Sequence, residues 1–325
     1  MHPSRPDDTR ADVTVVGAGV VGLTCALCLA DAGHAVRVVA RERLADTTSG
    51  VAAAIWYPYR AYPYDRVLRW STAGYAAFVR LAEEVPDAGV RTRLGTELLR
   101  TDAPDPWWAA AVPDLTKVTD VPPGFAAGWR FASPVVDMSR YLPWLEGRLA
   151  AHGVVPRRGT VDALGPGDGL GDVVVNCAGL GARRLVPDPT VGPVRGQVVV
   201  CEQVGLDEWV VDDGDGLAPT YVVPRLADVV VGGTADEGAF DRRVDPGTAA
   251  GILERARALV PALGGAAVLG HRVGLRPARP TVRLEADHGG GRTVVHCYGH
   301  GGAGVTLSWG CAADVVDLVE AAPPG

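Results

Sequence analysis

The stretch V-T-V-V-G-A-G-V-V-G over residues 13–22 constrains this chain more than any other. Four β-branched residues in a row read as a strand, and Gly17, Gly19 and Gly22 then fall on the G-x-G-x-x-G spacing ahead of an apolar, helix-like run from Leu23 to Ala32. A strand, a tight turn and a helix N-terminus in that order make a dinucleotide cradle. Gly17 turns the chain, Gly19 lets backbone N–H groups reach a pyrophosphate, and Gly22 lets the helix pack close to the strand. The phosphates then lie on the positive end of the helix dipole, beside Ala18, Val20 and Val21. A second strand over 35–40 should end in an acid for a ribose 2′-OH. That position holds Ala40, followed by Arg41 and Glu42. Either Glu42 serves the ribose or Arg41 meets a phosphate, so the motif alone leaves FAD and NADP open.

Composition narrows the class. A chain of 325 residues, 47% hydrophobic and 21% charged, has the make-up of a compact globular protein with room for two cores. Its net charge of −7 argues against a nucleic-acid surface, which needs clustered basic residues. No apolar run reaches the roughly eighteen residues of a membrane span, and no S-K-L stands in the final Pro323-Pro324-Gly325, so a cytoplasmic location is expected. Cysteines at 25, 28, 177, 201, 297 and 311 sit in apolar stretches and read as buried thiols, the C-x-x-C of Cys25 and Cys28 included. His296 and His300 straddle a strand end and a glycine turn rather than one helical face, so no metal is expected.

Along the chain, residues 1–11 are polar and expected to fray. Thr47, Thr48 and Ser49 lead into the small apolar run 50–54, which suits a backbone threaded beside a flat cofactor, and an aromatic segment follows over 55–60. A helix is expected over 66–84, short strands with Pro-rich turns to Arg130, and a helix over 138–152. The apolar strand 173–175 ends in N-C-A-G, a turn that a doubly wound sheet would bring beside the first. Strands at 197–202, 220–224 and 229–233 have no helix between them and read as antiparallel. A helix over 245–259, an extended arginine-rich segment over 270–285, a strand at 294–297 and a last helix over 305–320 complete the pattern.

Taken together, these stretches resemble the D-amino-acid oxidase family of flavoproteins. The specific pieces are residues 13–22, 51–58 and 176–179, the Y-V-V-P of 221–224, the G-L-R-P-A-R-P of 274–280, and residues 298–306 continuing to 308–310. The resemblance implies an α/β fold: a Rossmann-like FAD-binding domain (1–60, 134–190, 284–325) and a discontinuous α+β substrate domain (61–133, 191–283) on a mainly antiparallel sheet. It implies FAD as cofactor, a D-amino acid and dioxygen as small-molecule partners, and a homodimer as one possible assembly. Tyr221 and Arg276 would hold the substrate carboxylate and the Gly302 carbonyl the amine. Arg41, Glu42, Thr47, Thr48, Ser49, Ala53, Ala54, Ile55, Ala178, Gly301, Gly302, Ala303, Gly304, Val305 and Thr306 would line FAD. Related glycine, sarcosine or D-aspartate oxidation, or an NADP-binding role without catalysis, are the alternatives.

The chain departs from the family pattern at the lid. A second active-site tyrosine is expected, and the corresponding positions are Leu217 and Ala235. Losing that ring implies room for larger, neutral, apolar side chains. The competing expectation is that Arg60 or Arg225 reaches inward and selects dicarboxylates.

Overall fold

The structure is a computed structural model and describes residues 12–165, 168–213 and 218–323. Residues 1–11, where fraying is expected, Leu217 and the final Pro324-Gly325 lie outside the described residues. At the centre of the nucleotide half, β1 (Asp12–Val16) pairs in parallel with β2 (Ala35–Ala40) and β7 (Val173–Asn176). Val13, Val15 and Val174 are fully buried, as strands covered on both faces must be. The remaining strands are β3 (Val90–Leu99), β4 (Thr116–Val118), β5 (Ala127–Val136), β6 (Arg157–Arg158), β8 (Gly192–Glu202), β9 (Trp209–Asp212), β10 (Thr220–Pro224), β11 (Asp228–Gly232), β12 (Asp236–Glu237), β13 (Val268–Asp287) and β14 (Thr293–His300).

Among the described residues the strands form one sheet, in the order β4-β5-β3-β9-β10-β11-β8-β13-β14-β7-β1-β2-β6, with β12 beside β8. The run β14-β7-β1-β2-β6 is parallel. The other half is antiparallel except where β3 meets β9. β13 joins the halves, pairing with β8 on one side and β14 on the other. Pro280 is tolerated because the ladder to β14 is irregular between Ala278 and Arg283. Arg276 therefore stands where the sheet passes from one half to the other.

The helices are α1 (Val20–Asp31), α2 (Thr48–Val51), α3 (Tyr64–Glu84), α4 (Met138–Ala151), α5 (Ala182–Leu185), α6 (Pro246–Leu259) and α7 (Gly304–Glu320). Glycines set how closely they approach. A Cβ at Gly74 of α3 would stand 2.1 Å from the Thr306 carbonyl of α7, and one at Gly310 would stand 2.4 Å from Trp70 Cα. Trp70 Nε1 also donates to Asp314 at 2.8 Å, so α3 is bolted to α7. α6 starts where Asp245 caps it, accepting from the Thr248 N–H at 2.6 Å.

The elements largely follow the sequence expectation, with three differences. β3 and β5 are long partners, ten residues each, rather than short strands. β13 extends over 20 residues. β9 was not expected at all, and it carries the acidic end that matters below.

Candidate active site

The first glycine turn is built as its spacing requires. Gly17 has φ of +113°, where a side chain is strained, and a Cβ there would meet the Cys177 carbonyl at 2.3 Å. The turns after β1 and β7 are thus side by side, with Ala178 on the second. A Cβ at Gly22 would stand 2.0 Å from the Gly17 carbonyl, so that glycine sets helix-to-strand packing. Gly19 is more open, its nearest neighbour being Ser49 Oγ at 3.2 Å. Neither α1 nor α7 has a side-chain cap or an acid in its first turn, and Gly304 lies 3.8 Å from Val21 Cγ2 measured from an ideal Cβ. Two uncapped helix N-termini therefore converge, each with orphan N–H groups. This cradle fits a pyrophosphate at α1 and an electron-rich ring edge at α7.

The other expected cofactor residues fall around it. Ser49 Oγ accepts from the Val20 N–H at 3.0 Å. Thr47 is buried and caps α2 by accepting from the Gly50 N–H at 3.1 Å, while Thr48 Oγ1 donates to the Leu275 carbonyl at 2.8 Å. Ala53, Ala54 and Ile55 follow, with Ile55 bridged to Val135. Thr306 Oγ1 donates to the Tyr57 carbonyl and accepts from the Tyr57 N–H, both at 3.0 Å, so its hydroxyl pins the aromatic segment. Arg41 is exposed and pairs with Glu42 at 3.1 Å just beyond β2.

Tyr221 and Arg276 come together from distant parts of the chain. Tyr221 on β10 lies over Gly232, where an added Cβ would be 2.1 Å from its Cζ. Arg276 lies over Gly196, where an added Cβ would be 2.5 Å from Nη1. Both side chains can lie flat on the sheet because the neighbouring strands carry glycine beneath them. Arg276 Nη1 donates to the Thr234 carbonyl at 2.9 Å and the guanidinium also bonds the Tyr221 hydroxyl, which leaves its remaining donors for a ligand. Burial raises the Tyr221 phenol, while the adjacent guanidinium opposes the rise. Gly302 closes the group. A Cβ there would meet Tyr59 Cδ1 at 2.7 Å and Arg276 Cδ at 3.5 Å.

The remaining arginines are committed elsewhere. Arg279 pairs with Asp188 at 2.9 Å and Arg283 with Glu285 at 2.7 Å, while Arg272 donates to the Gly50 carbonyl. Buried Arg225 binds Asp228 at 2.6 Å and faces Asp137 at 3.8 Å, and exposed Arg60 reaches Glu237 at 3.5 Å. Ala235 is half-buried next to Thr234.

Three residues of this region were not singled out from the sequence. Tyr57 donates its hydroxyl to Glu97 Oε1 at 2.6 Å. Glu97 comes from β3, and Asp213 follows β9. Desolvation raises the Glu97 carboxyl to about 7 against the pull of the Tyr57 hydrogen bond, with Asp213 adding repulsion. Asp213 reaches solvent, yet the protein around it, with Asp212 adding repulsion, raises its carboxyl to about 6 against Arg60. A glutamate inside the otherwise apolar L-G-T-E-L-L of β3 was the signal available.

The cysteines form no disulfide, and all are buried except half-buried Cys28. His300 Nε2 lies 3.8 Å from Cys297 Sγ and groups with Cys297 and Cys311, while Cys25 and Cys177 also gather at Cys297.

A fold with a dinucleotide cradle at one end of its sheet and a guanidinium beside it defines a flavin-type oxidoreductase. The family model described as FAD dependent oxidoreductase matches residues 12–318. Two D-amino-acid oxidases are similar over nearly the whole chain. That of Rubrobacter xylanophilus is 49% identical over 316 residues, covering 96% of this chain and 97% of its own. That of Streptomyces coelicolor is 45% identical over 325 residues, covering 98% and 100%. Glycine oxidase from Geobacillus kaustophilus shares the fold, with a TM-score of 0.81 at 23% identity, covering 96% and 95% of the two chains. The chain belongs to the D-amino-acid oxidase family of FAD-dependent oxidoreductases.

Proposed function

We propose that this enzyme oxidises D-amino acids, neutral and apolar ones among them, to 2-oxo acids with release of ammonia and hydrogen peroxide. The observation that carries the reading is the juxtaposition of Arg276, Tyr221 and Gly302 in front of the N-terminus of α7. Arg276 binds the substrate carboxylate through charge-assisted hydrogen bonds, and the Tyr221 hydroxyl donates another. The Gly302 carbonyl accepts from the amine, so that the Cα–H is presented to the cofactor face. FAD, when bound, would supply the hydride acceptor and the route for electrons to dioxygen. It would be held by the turns at Gly17, Gly19, Gly22 and Ala178, by Glu42 at the ribose, and along residues 47–55 and 301–306. The N-terminus of α7 stabilises negative charge there by about 0.3–2 kcal/mol.

The same reading divides the chain into a cofactor half (1–60, 134–190, 284–325) and a substrate half (61–133, 191–283). Among the described residues no helix is long and apolar enough to cross a membrane. We place the enzyme in the cytoplasm, with a homodimer as one assembly to test. The test is direct. The purified protein should be yellow, and a screen of D- and L-amino acids should show peroxide with D-amino acids only. A colourless protein, or peroxide from glycine, sarcosine or L-amino acids alone, overturns it.

A further inference from the structure

Glu97 presents an anomaly that the catalytic clamp does not explain. Its Oε1 accepts from Tyr57, but its Oε2 is buried and has no hydrogen-bond partner. A buried carboxylate oxygen left unpaired is costly, and such groups are normally matched by a ligand or an ordered water. No cation among the described residues pairs with Glu97, and the acid nearest to it, Asp213, makes the region more negative.

Register places this acid relative to the clamp. Glu97 pairs with Val211, and Val211 pairs with Tyr221. The three residues thus share one row and one face of the sheet, with β9 between β3 and β10. Strand spacing puts Glu97 about 10 Å from Tyr221 along that row. Asp213, two residues beyond Val211, has the same parity. The other neighbours are Tyr57, whose ring stacks on Tyr59 with centroids 6.5 Å apart, and Trp129 across β5. The charged and titratable groups facing Glu97 are therefore Tyr57, Asp213 and, further off, Tyr59, Tyr221 and Arg276. Arg60 acts on Asp213 rather than on Glu97.

We propose that Glu97, with Asp213 at the mouth, forms a side-chain subsite for D-amino acids whose side chains end in a cation, such as D-lysine or D-arginine. A substrate held by its carboxylate at Arg276 and Tyr221 extends its side chain along the row over Val211. The four-carbon stem of lysine spans that gap and delivers an ammonium to the unpaired oxygen. The acids add a choice of charge at the far end. They also repel dicarboxylates, and Arg225 and Arg60 are paired elsewhere. The inference rests on the D-amino-acid oxidase reading above.

The test compares D-lysine with D-norleucine, which has a similar chain but no charge, on the holoenzyme at a pH near 8. Wild type should show kcat/KM at least about tenfold higher for D-lysine, the scale of one charge-assisted hydrogen bond. Glu97→Gln should lower the D-lysine to D-norleucine ratio by at least about tenfold, mainly through KM. Asp213→Asn should lower it less. For wild type the ratio should also grow as pH rises through about 7, where Glu97 ionises. A wild-type ratio near one overturns the subsite, even if Glu97→Gln fails to fold. So does a Glu97→Gln protein that slows both substrates equally. D-alanine serves as the separate arm: no peroxide from D-alanine or any other D-amino acid defeats the underlying function, whereas turnover without a lysine preference defeats the subsite alone.

Discussion

On the proposed function, Arg276 is the residue on which the chemistry would depend most. Its guanidinium lies on Gly196, keeps one donor on Thr234, and faces Tyr221 and Gly302 with the rest. Arg276→Ala removes charge-assisted bonds worth about 1.5–3 kcal/mol each, so kcat/KM should fall at least about a hundredfold. The flavin spectrum should persist, because the side chain is not part of the phosphate cradle. Steady-state kinetics beside an absorbance ratio check both halves. A variant that keeps near-normal kcat/KM would remove Arg276 from the site. Gly196 offers the complementary experiment. Gly196→Ala sets a methyl 2.5 Å from the Arg276 nitrogen and should push the guanidinium off its bed, raising KM several-fold or more without bleaching the protein. An unchanged KM would mean that the guanidinium tolerates displacement.

At the level of elements, the proposed cofactor cradle is the β1 turn with α1, and a single side chain should block it. Gly19→Val puts branched bulk where only Ser49 Oγ stands nearby, on the face where a pyrophosphate must approach the backbone. The variant should fold, since a Cβ at Gly19 meets no core backbone, and purify largely colourless; full flavin content would show that the phosphates lie elsewhere. This element was legible in the sequence because each of its glycines answers a local requirement. The same holds for α1, β2, α4 and α7, whose apolar patterns extend nearly to their observed ends. Family motifs pointed to Tyr221 and Arg276, which the structure brings together, but not to their beds. Gly196 and Gly232 matter only through the strand that pairs beside them, and pairing is a long-range property. Glu97 was hidden for the same reason: it meets Tyr57 across 40 residues and joins the row of Tyr221 only through β9, an element of four residues that the pattern did not announce.

The whole molecule carries two buried titrations of opposite sign in one pH range. Burial, and then Arg283, lowers the His296 ring to about 4, and Asn176 Nδ2 lies 3.3 Å from Nδ1, where an amide donor requires an unprotonated ring. An unfolded histidine titrates near 6.5, so between about 4 and 6.5 the unfolded chain holds the extra proton. This contribution is complete above 6.5 and is lost as pH falls, by up to about 3 kcal/mol. Glu97 behaves in the opposite way. Its folded value of about 7 exceeds the unfolded value near 4.3, so its contribution is complete below 4.3 and is lost as pH rises through 7. The two slopes overlap from about 4.5 to 6.5 and largely cancel there, exposed Asp213 adding only a weaker fall with rising pH. Wild-type holoenzyme should therefore show a nearly level unfolding midpoint across that range. His296→Asn should leave a midpoint that falls as pH rises, and Glu97→Gln one that rises with pH. Thermal melts of the three proteins at half-unit pH steps measure this directly. A Glu97→Gln profile that stays parallel to wild type would mean that Glu97 is ionised throughout the range, and a partner cation would then have to be sought beside it.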